Sequence, residues 1–575
     1  MTTSASRPNP VLYGRFLIFV AGLGGLLYGI DVGIITDALL YLDKTISLTV
    51  AQTSLIVAAV LGGGTAASLV AGLFADWLGR KKMMIVSAVL FIISVLMIIS
   101  SHGFAGLLTG RLLQGISGGV IAVVVPLYLA ECLAPQNRGQ GSAIFQFMLT
   151  VGIVVASLTG FYFIHHADAA IQAAAGNATL IKNAQDHAWR GMFLSVIYPG
   201  ILFFIGTIFL SESPRWLFRR GRMEESLAVL RRSSSEEEAQ LQMREMVELA
   251  EEDKQKAKAL GSSESLLQRK YVVPFVLACV ILACNQTTGI NSILAYLAVI
   301  LRQAGMSVAQ ATQGDLAVKI LNCVMTVVAV VLVDRRGRKF LLTIGTGGIV
   351  VSLLLASFVF YGLESKRVDV RDQVQAGVAG RAITLPIASI HGGLSPDSTH
   401  PAVLAVMYSY GDGDKVASVL SDDKDPTLKI EPEAATPPTA ALTIKRATYG
   451  SVPPQSTGWL VTACLALFIA CYAAGPGVVV WLALSELMPT RIRSAGMGIA
   501  LVLNQGVSMT IAGVFLPVVG HYGYYAMFAF LAACTVIYFI TAAFFLPETK
   551  GKSLEEIERL FDANPAPILH EGSGS

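Results

Sequence analysis

Asp76-Trp77-Leu78-Gly79-Arg80-Lys81-Lys82 returns, altered but recognisable, as Asp334-Arg335-Arg336-Gly337-Arg338-Lys339, 258 residues further on (334 − 76). Each copy closes an apolar run of about 20 residues, the length a helix needs to cross a bilayer. A second echo sets Glu131 and Arg138 against Glu486 and Arg493, 355 residues apart (486 − 131). The spacings differ by 97 residues, so the second half holds extra chain between these landmarks. The Pro/Gly/Asp-rich stretch 364–457 has about that length and is the insertion. What remains is one six-helix plan used twice. Paired halves with a site near the midplane between them are a transporter architecture.

Working outward from these landmarks, twelve segments have the length and apolarity of spans: 14–36, 53–75, 84–102, 106–131, 141–163, 189–210, 271–301, 312–333, 340–363, 458–486, 492–519 and 523–546. Runs such as Gly62-Gly63-Gly64 would weaken soluble helices, but in a membrane bundle they allow close approach. The segments lack the period-two alternation of membrane strands. The expected fold class is therefore an all-α membrane protein of twelve transmembrane helices in two six-helix halves. Composition agrees: 14% of residues are charged, against roughly 25% in soluble chains, and mean hydropathy is +0.62. The first apolar run has no small-residue cleavage site after it and reads as a retained helix.

Basic residues set the expected orientation. Arg80 through Lys82, Arg138, Arg215 through Arg222, Arg335 through Lys339, Arg491, Arg493, Lys550 and Lys552 fall in alternate connections. That places both termini in the cytoplasm of a cell membrane, plasma or bacterial inner. The 364–457 stretch carries nine Lys/Arg against eleven Asp/Glu and belongs outside, with short strands expected around 383–404. The expected division is an N-terminal half 1–210, a cytoplasmic helical linker 211–270, a C-terminal half 271–552 and a tail 553–575. Composition over 223–260 favours helix. The seven cysteines lie in or beside apolar segments and imply no disulfide framework. The histidines lack metal-ligand spacing, no Walker Lys-Ser/Thr follows the glycines, and no basic tract points to nucleic acid. Neither metal nor cofactor nor enzymatic activity is expected.

Five further signatures accompany the echoed loops: Gly110-Arg111-Leu112-Leu113-Gln114-Gly115, Pro126-Leu127-Tyr128-Leu129-Ala130-Glu131, Glu212-Ser213-Pro214-Arg215-Trp216-Leu217, Asn285-Gln286-Thr287-Thr288-Gly289-Ile290-Asn291 and Leu546-Pro547-Glu548-Thr549-Lys550-Gly551. Together they resemble the sugar porter family of the major facilitator superfamily over nearly the whole chain except the outer insertion. The resemblance implies proton-coupled symport of a monosaccharide or related polyol by a monomer, as in the bacterial xylose, galactose and arabinose carriers. The alternatives are a facilitative sugar uniporter and a non-transporting sugar receptor. It also implies a gate built from charges at inner helix ends: Asp76, Arg80, Glu131, Arg138, Glu212, Arg215, Asp334, Arg338, Glu486 and Arg493. Single surface pairs contribute about 0–1 kcal/mol, but a network can bias a two-state equilibrium.

Asp31, within Gly24-Gly25-Leu26-Leu27-Tyr28-Gly29-Ile30-Asp31, is a carboxylate inside a span and so a functional candidate that needs a partner. Arg111 is the best intramembrane cation. Separating the two would change proton affinity, and the family's symporters carry an aspartate here, so the pair is expected to couple protons. Asp37 lies nearer the outer end and is expected to be solvated. Neutral amides suit an uncharged polyol because each both donates and accepts. The candidate sugar ligands are Tyr28, Gln146, Asn285, Gln286, Asn291, Tyr296, Asn504 and Gln505, with Trp481 as the aromatic face. Gly475-Pro476-Gly477 should break the tenth helix. Asn285, Ala295 and Gln505 stand where the family usually has glutamine, tyrosine and tryptophan. These departures point to a roomier, more polar pocket and a substrate other than plain glucose or xylose.

Overall fold

The computed structural model describes residues 10–133, 138–259, 269–390, 401–411, 413–421, 426–432, 440–488, 493–549 and 561. The expected tail 553–575 lies almost wholly outside them. Among the described residues twelve helices are long and apolar enough to cross a bilayer: α1 (Val11–Thr45), α2 (Val50–Leu78), α3 (Arg80–Ser100), α4 (Phe104–Cys132), α5 (Ile144–Ala173), α6 (Ala178–Phe209), α7 (Tyr271–Gln303), α8 (Val308–Val333), α9 (Arg338–Glu364), α10 (Gln455–Val480), α11 (Gly496–Tyr522) and α12 (Tyr524–Phe545). Each overlaps one expected span, several extending by a turn or two beyond the apolar stretch.

Three spans are interrupted, α6 at Val196 and two others where glycine or proline stands at the break. α7 stops at Thr287 and restarts at Ile290, with Gly289 between them at φ +80°, a left-handed conformation that favours glycine. α10 breaks at Gly475, immediately before Pro476, whose missing N–H cannot continue the ladder.

Glycine spacing explains the closest helix crossing. Gly25, Gly29 and Gly33 recur every four residues along one stripe of α1 and meet Gly152 and its neighbours on α5. A Cβ on Gly29 would collide with the Leu149 carbonyl, and one on Gly152 with the Leu26 carbonyl. Only bare backbone fits there, and close packing of this kind holds membrane helices together. Gly29→Ala should therefore lower the unfolding midpoint in detergent by an amount equivalent to about 1–3 kcal/mol. Gly72→Ala, where a Cβ meets nothing within 4 Å, is the control and should leave it unchanged. Equal behaviour of the two variants would contradict the packing argument.

The echoed loops have a common structural cause. Gly79 ends α2 and precedes α3 at φ +101°, and Gly337 does the same before α9 at φ +91°. Beyond each glycine a carboxylate from a distant signature caps the next helix. Glu212 Oε1 accepts from the Arg80 and Lys81 backbone N–H groups at 2.9 and 3.1 Å. Glu548 accepts from those of Arg338 and Lys339 at 3.0 and 3.1 Å. A carboxylate satisfies orphan N–H donors and suits the positive end of the helix dipole.

Between the halves, the linker folds as helices Pro214–Arg219, Met223–Ser233 and Glu236–Ala259, as its composition suggested. The outer insertion departs from an all-α chain. It forms β1 (Val368–Asp369), β2 (Ile383–Pro386), β3 (Ala402–Ser409), β4 (Asp414–Leu420), β5 (Thr427–Ile430) and β6 (Thr443–Ser451). The order β1-β6-β3-β4 makes one antiparallel sheet, and β2-β5 a second. Leu404, Val406, Ile444 and Tyr449 anchor its own apolar core. Strands thus extend well beyond the 383–404 window. The domain sits against both halves at the end opposite the linker helices: Gly413 packs on Thr49 before α2, and Arg446 donates to the Gly520 carbonyl of α11 at 3.0 Å.

Candidate functional site

In the second half, the break in α7 brings amides from both of its segments against α11. Gln286 Nε2 donates to Asn504 Oδ1 at 3.2 Å, and Asn291 Nδ2 donates to Gln286 Oε1 at 3.0 Å and to Ser508 Oγ at 2.8 Å. Asn504 in turn donates to the Leu282 carbonyl at 3.0 Å. Each amide is thus oriented by another, a preorganised polar network inside an apolar bundle. Asn285 donates to the Tyr472 hydroxyl of α10 at 3.2 Å, while its carbonyl oxygen is buried without a partner. Tyr296 is fully buried and stacks on Phe515 with centroids 5.0 Å apart. Gln146 is half-buried on α5. The side chain of Trp481 lies outside the described residues.

In the first half, Arg111 Nη1 donates to Asp31 Oδ1 at 3.1 Å and to Gln114 Oε1 at 2.8 Å. Asp31 is 0% exposed and Arg111 2%. The expected pair therefore exists, sealed from water and unevenly satisfied: Asp31 Oδ2 and Arg111 Nε have no partner. Tyr28, one turn from Asp31, packs on Gly118 of α4 and interacts with both Asp31 and Gln505. Gln505 follows Asn504 on α11, so Tyr28 of the first half meets the second half beside the amide cluster.

On the outer side the halves are joined by polar contacts. Thr36 Oγ1 donates to the Leu294 carbonyl of α7 at 2.8 Å, and Ser157 Oγ of α5 donates to Asp315 Oδ2 of α8 at 2.6 Å. Lys319 of α8 pairs with Asp315 at 2.9 Å, and both are 0% exposed. Asp37 belongs to this group. It is 0% exposed, not solvated, and its electrostatic neighbours are Asp315 and Lys319. Its position near the helix end suggested water, but α5 and α8 cover the face it occupies.

At the inner face the described charges pair within their own half. Arg80, 1% exposed, donates through Nε and Nη2 to the two oxygens of Glu131, both at 2.8 Å. Asp76 pairs with Arg80 at 2.8 Å and with Arg219 at 3.4 Å, and Arg219 reaches Glu131 at 3.0 Å. Arg215 is half-buried beside Glu131 and the linker helices. Arg338 heads α9 next to its Glu548 cap. The side chains of Arg138, Asp334, Glu486 and Arg493 lie outside the described residues.

Sequence reasoning missed Tyr472, Ser508, Glu548 and the Asp315–Lys319 pair. The last carried a usable signal: acid and base four residues apart inside a span share a helix face, and ionisable residues in a membrane are functional candidates by default.

Residues 17–396 and 436–561 match the family model described as "Sugar (and other) transporter". The chain is 28% identical over 552 residues to the glucose transporter GlcP of Staphylococcus epidermidis, covering 95% of this chain and 96% of that one. It is 28% identical over 584 residues to the proton myo-inositol cotransporter hmit-1.1 of Caenorhabditis elegans, covering 97% and 91%. The partially occluded, inward-open structure of the xylose transporter XylE from E. coli superposes with a TM-score of 0.66 at 20% identity, over 94% of this chain and all of the other. That similarity establishes the major facilitator fold.

Proposed function

This multi-pass membrane protein belongs to the sugar (and other) transporter family, and from that premise we propose that it moves a monosaccharide or related polyol by alternating access, driven by a proton gradient. The observation that carries the proposal is the sealed Asp31–Arg111 pair, with Tyr28 beside it facing Gln505 of α11, the residue after Asn504 of the amide cluster. Proton uptake by Asp31 would cancel its half of the pair and leave Arg111 on Gln114. Tyr28 would then shift relative to Gln505, so protonation and sugar occupancy would bias the same equilibrium. Gln286, Asn291, Asn504 and Ser508 would hold the ring hydroxyls, because neutral amides match a polyol in both donors and acceptors. Asn285, held by Tyr472, would set one wall. Trp481, in the helix Pro476–Leu487 beyond the Gly475 break, would supply the aromatic face. Both termini would lie in the cytoplasm, the inner-end charges would form the inner gate, and the carrier would act as a monomer.

The test is radiolabelled uptake into proteoliposomes with and without an inward proton gradient. The panel should contain hexoses, pentoses, a disaccharide and inositol. Wild type should accumulate one of them against its gradient. Asp31→Asn should abolish accumulation, by at least tenfold, while counterflow exchange survives. Uptake that only equilibrates and ignores pH would leave the equilibrative carrier as the answer. If plain glucose or xylose bound tightest, the altered-pocket reading of Asn285, Ala295 and Gln505 would fall.

A further inference from the structure

The geometry points to a second proton-binding site, separate from Asp31–Arg111, in which Asp37, Asp315 and Lys319 hold one proton while the outer side is closed. Three observations meet there. The first is charge: two carboxylates and one ammonium, all 0% exposed, leave one negative charge uncompensated. The second is donor supply. Lys319 has three N–H groups, and they go to Asp315 Oδ2 at 2.9 Å, Thr36 Oγ1 at 3.2 Å and the Gly33 carbonyl at 3.4 Å. Nothing remains for Asp37, whose Oδ1 and Oδ2 are both buried without a hydrogen-bond partner, as is Asp315 Oδ1. The third is the backing: a Cβ on Gly160 of α5 would collide with the Asp37 carboxylate, so the wall behind it is bare backbone.

A buried carboxylate without a donor is among the costliest groups a membrane interior can hold. One proton on either carboxyl removes the surplus charge and creates the missing O–H donor. A metal cation suits the site less well, because the Lys319 ammonium already occupies the cation position and would repel a second one. The other acidic groups on α1 and facing it have partners. Asp31 has Arg111 of α4, Asp43 has Thr53 of α2, Asp186 of α6 has Arg190, and Asp168 of α5 accepts from Tyr41 with Arg302 of α7 beside them. Asp315 and Lys319 are the groups that face Asp37.

The site spans the moving interface. Asp37 and Gly160 belong to the first half, and Asp315 and Lys319 to the second. Outward opening would pull Lys319 from Thr36 and Gly33 and admit water to Asp37. Proton affinity would then be higher in the outer-closed state, so falling pH stabilises closure and rising pH releases it. The inference rests on the alternating-access reading but not on uphill uptake, so an equilibrative result in the uptake assay leaves it intact.

The experiment places spin labels at Ala51, at the outer start of α2, and Ala309, at the outer start of α8, both exposed. The full chain, with its native cysteines replaced, is reconstituted in nanodiscs, and the distance distribution is measured by double electron–electron resonance across pH. In an Asp31→Asn background, which removes the first proton site, the closed-to-open ratio should rise by up to about tenfold per unit fall in pH, the limit for one linked proton. Adding Asp37→Asn should flatten that slope. Asp315→Asn leaves one carboxylate for one ammonium and should flatten it too, which covers the case of an Asp37 variant that does not assemble. A flat response in the Asp31→Asn background, or a slope that persists when Asp37→Asn or Asp315→Asn is added to it, would overturn the proposal. So would a ratio that follows sodium concentration at fixed pH.

Discussion

Lys319→Met should destabilise the folded protein by about 3–5 kcal/mol, the usual loss when one partner of a buried ion pair is removed. The length of the side chain is nearly kept, so the effect isolates charge. Asp315 would lose its ammonium and Thr36 a donor, and two carboxyls would remain with no cation between them. Asp315→Asn should be much milder, because Asp37 is placed to take over as the counter-charge of Lys319. The double variant Lys319→Met/Asp315→Leu should recover most of the loss, since a buried pair replaced as a unit by apolar groups is often neutral. Unfolding midpoints in one detergent, read by tryptophan fluorescence, would decide. Equal midpoints for Lys319→Met and Asp315→Asn would refute the charge count on which the second proton site depends.

Arg80→Ala should also cost about 3–5 kcal/mol, for a related reason at the inner face. It would remove a bidentate partner from Glu131, a bond to the Ala75 carbonyl at 2.9 Å and the bridge to Asp76. Glu131 would keep only Ser213 and the exposed Arg219. Arg80→Lys should rescue little, because a point charge cannot reproduce two parallel N–H···O bonds. Among the described residues, every side-chain partner of Arg80 lies in its own half. The loss should therefore appear as instability of that half and leave the outer spin-label distances at fixed pH unchanged. A large shift in those distances with an unaltered melting midpoint would instead mark Arg80 as part of a latch between the halves.

Much of this was legible in the sequence, and the failures share a cause. Twelve spans, the doubled plan and the break before Pro476 follow from length, charge and backbone chemistry, all local properties. The amide cluster was legible because Gln286, Asn291 and Asn504 are costly in an apolar bundle unless paired. Asp37 was misplaced because its position along α1 fixes its depth in the bilayer but not which way it faces. Asp315 and Lys319 were averaged away inside an apolar window, though their i, i+4 spacing marks a single face. The outer domain was only glimpsed, since strands as short as Val368–Asp369 and Thr427–Ile430 acquire their meaning from distant partners.

The two capping carboxylates have a consequence for how such a chain can be built. Glu212, at the very start of the linker, caps the N-terminus of α3 in the half it follows, and Glu548 caps that of α9 in its own half. Neither half borrows an end-stop from the other. The segment between them, Glu236–Ala259, can therefore be severed without orphaning a helix terminus on either side. Two separately translated fragments, the first running past Glu212, would each keep the carboxylate that caps its own echoed loop, and would meet at the interface between the halves. Gene duplication and fusion would have required no new terminus to be invented, only a tether.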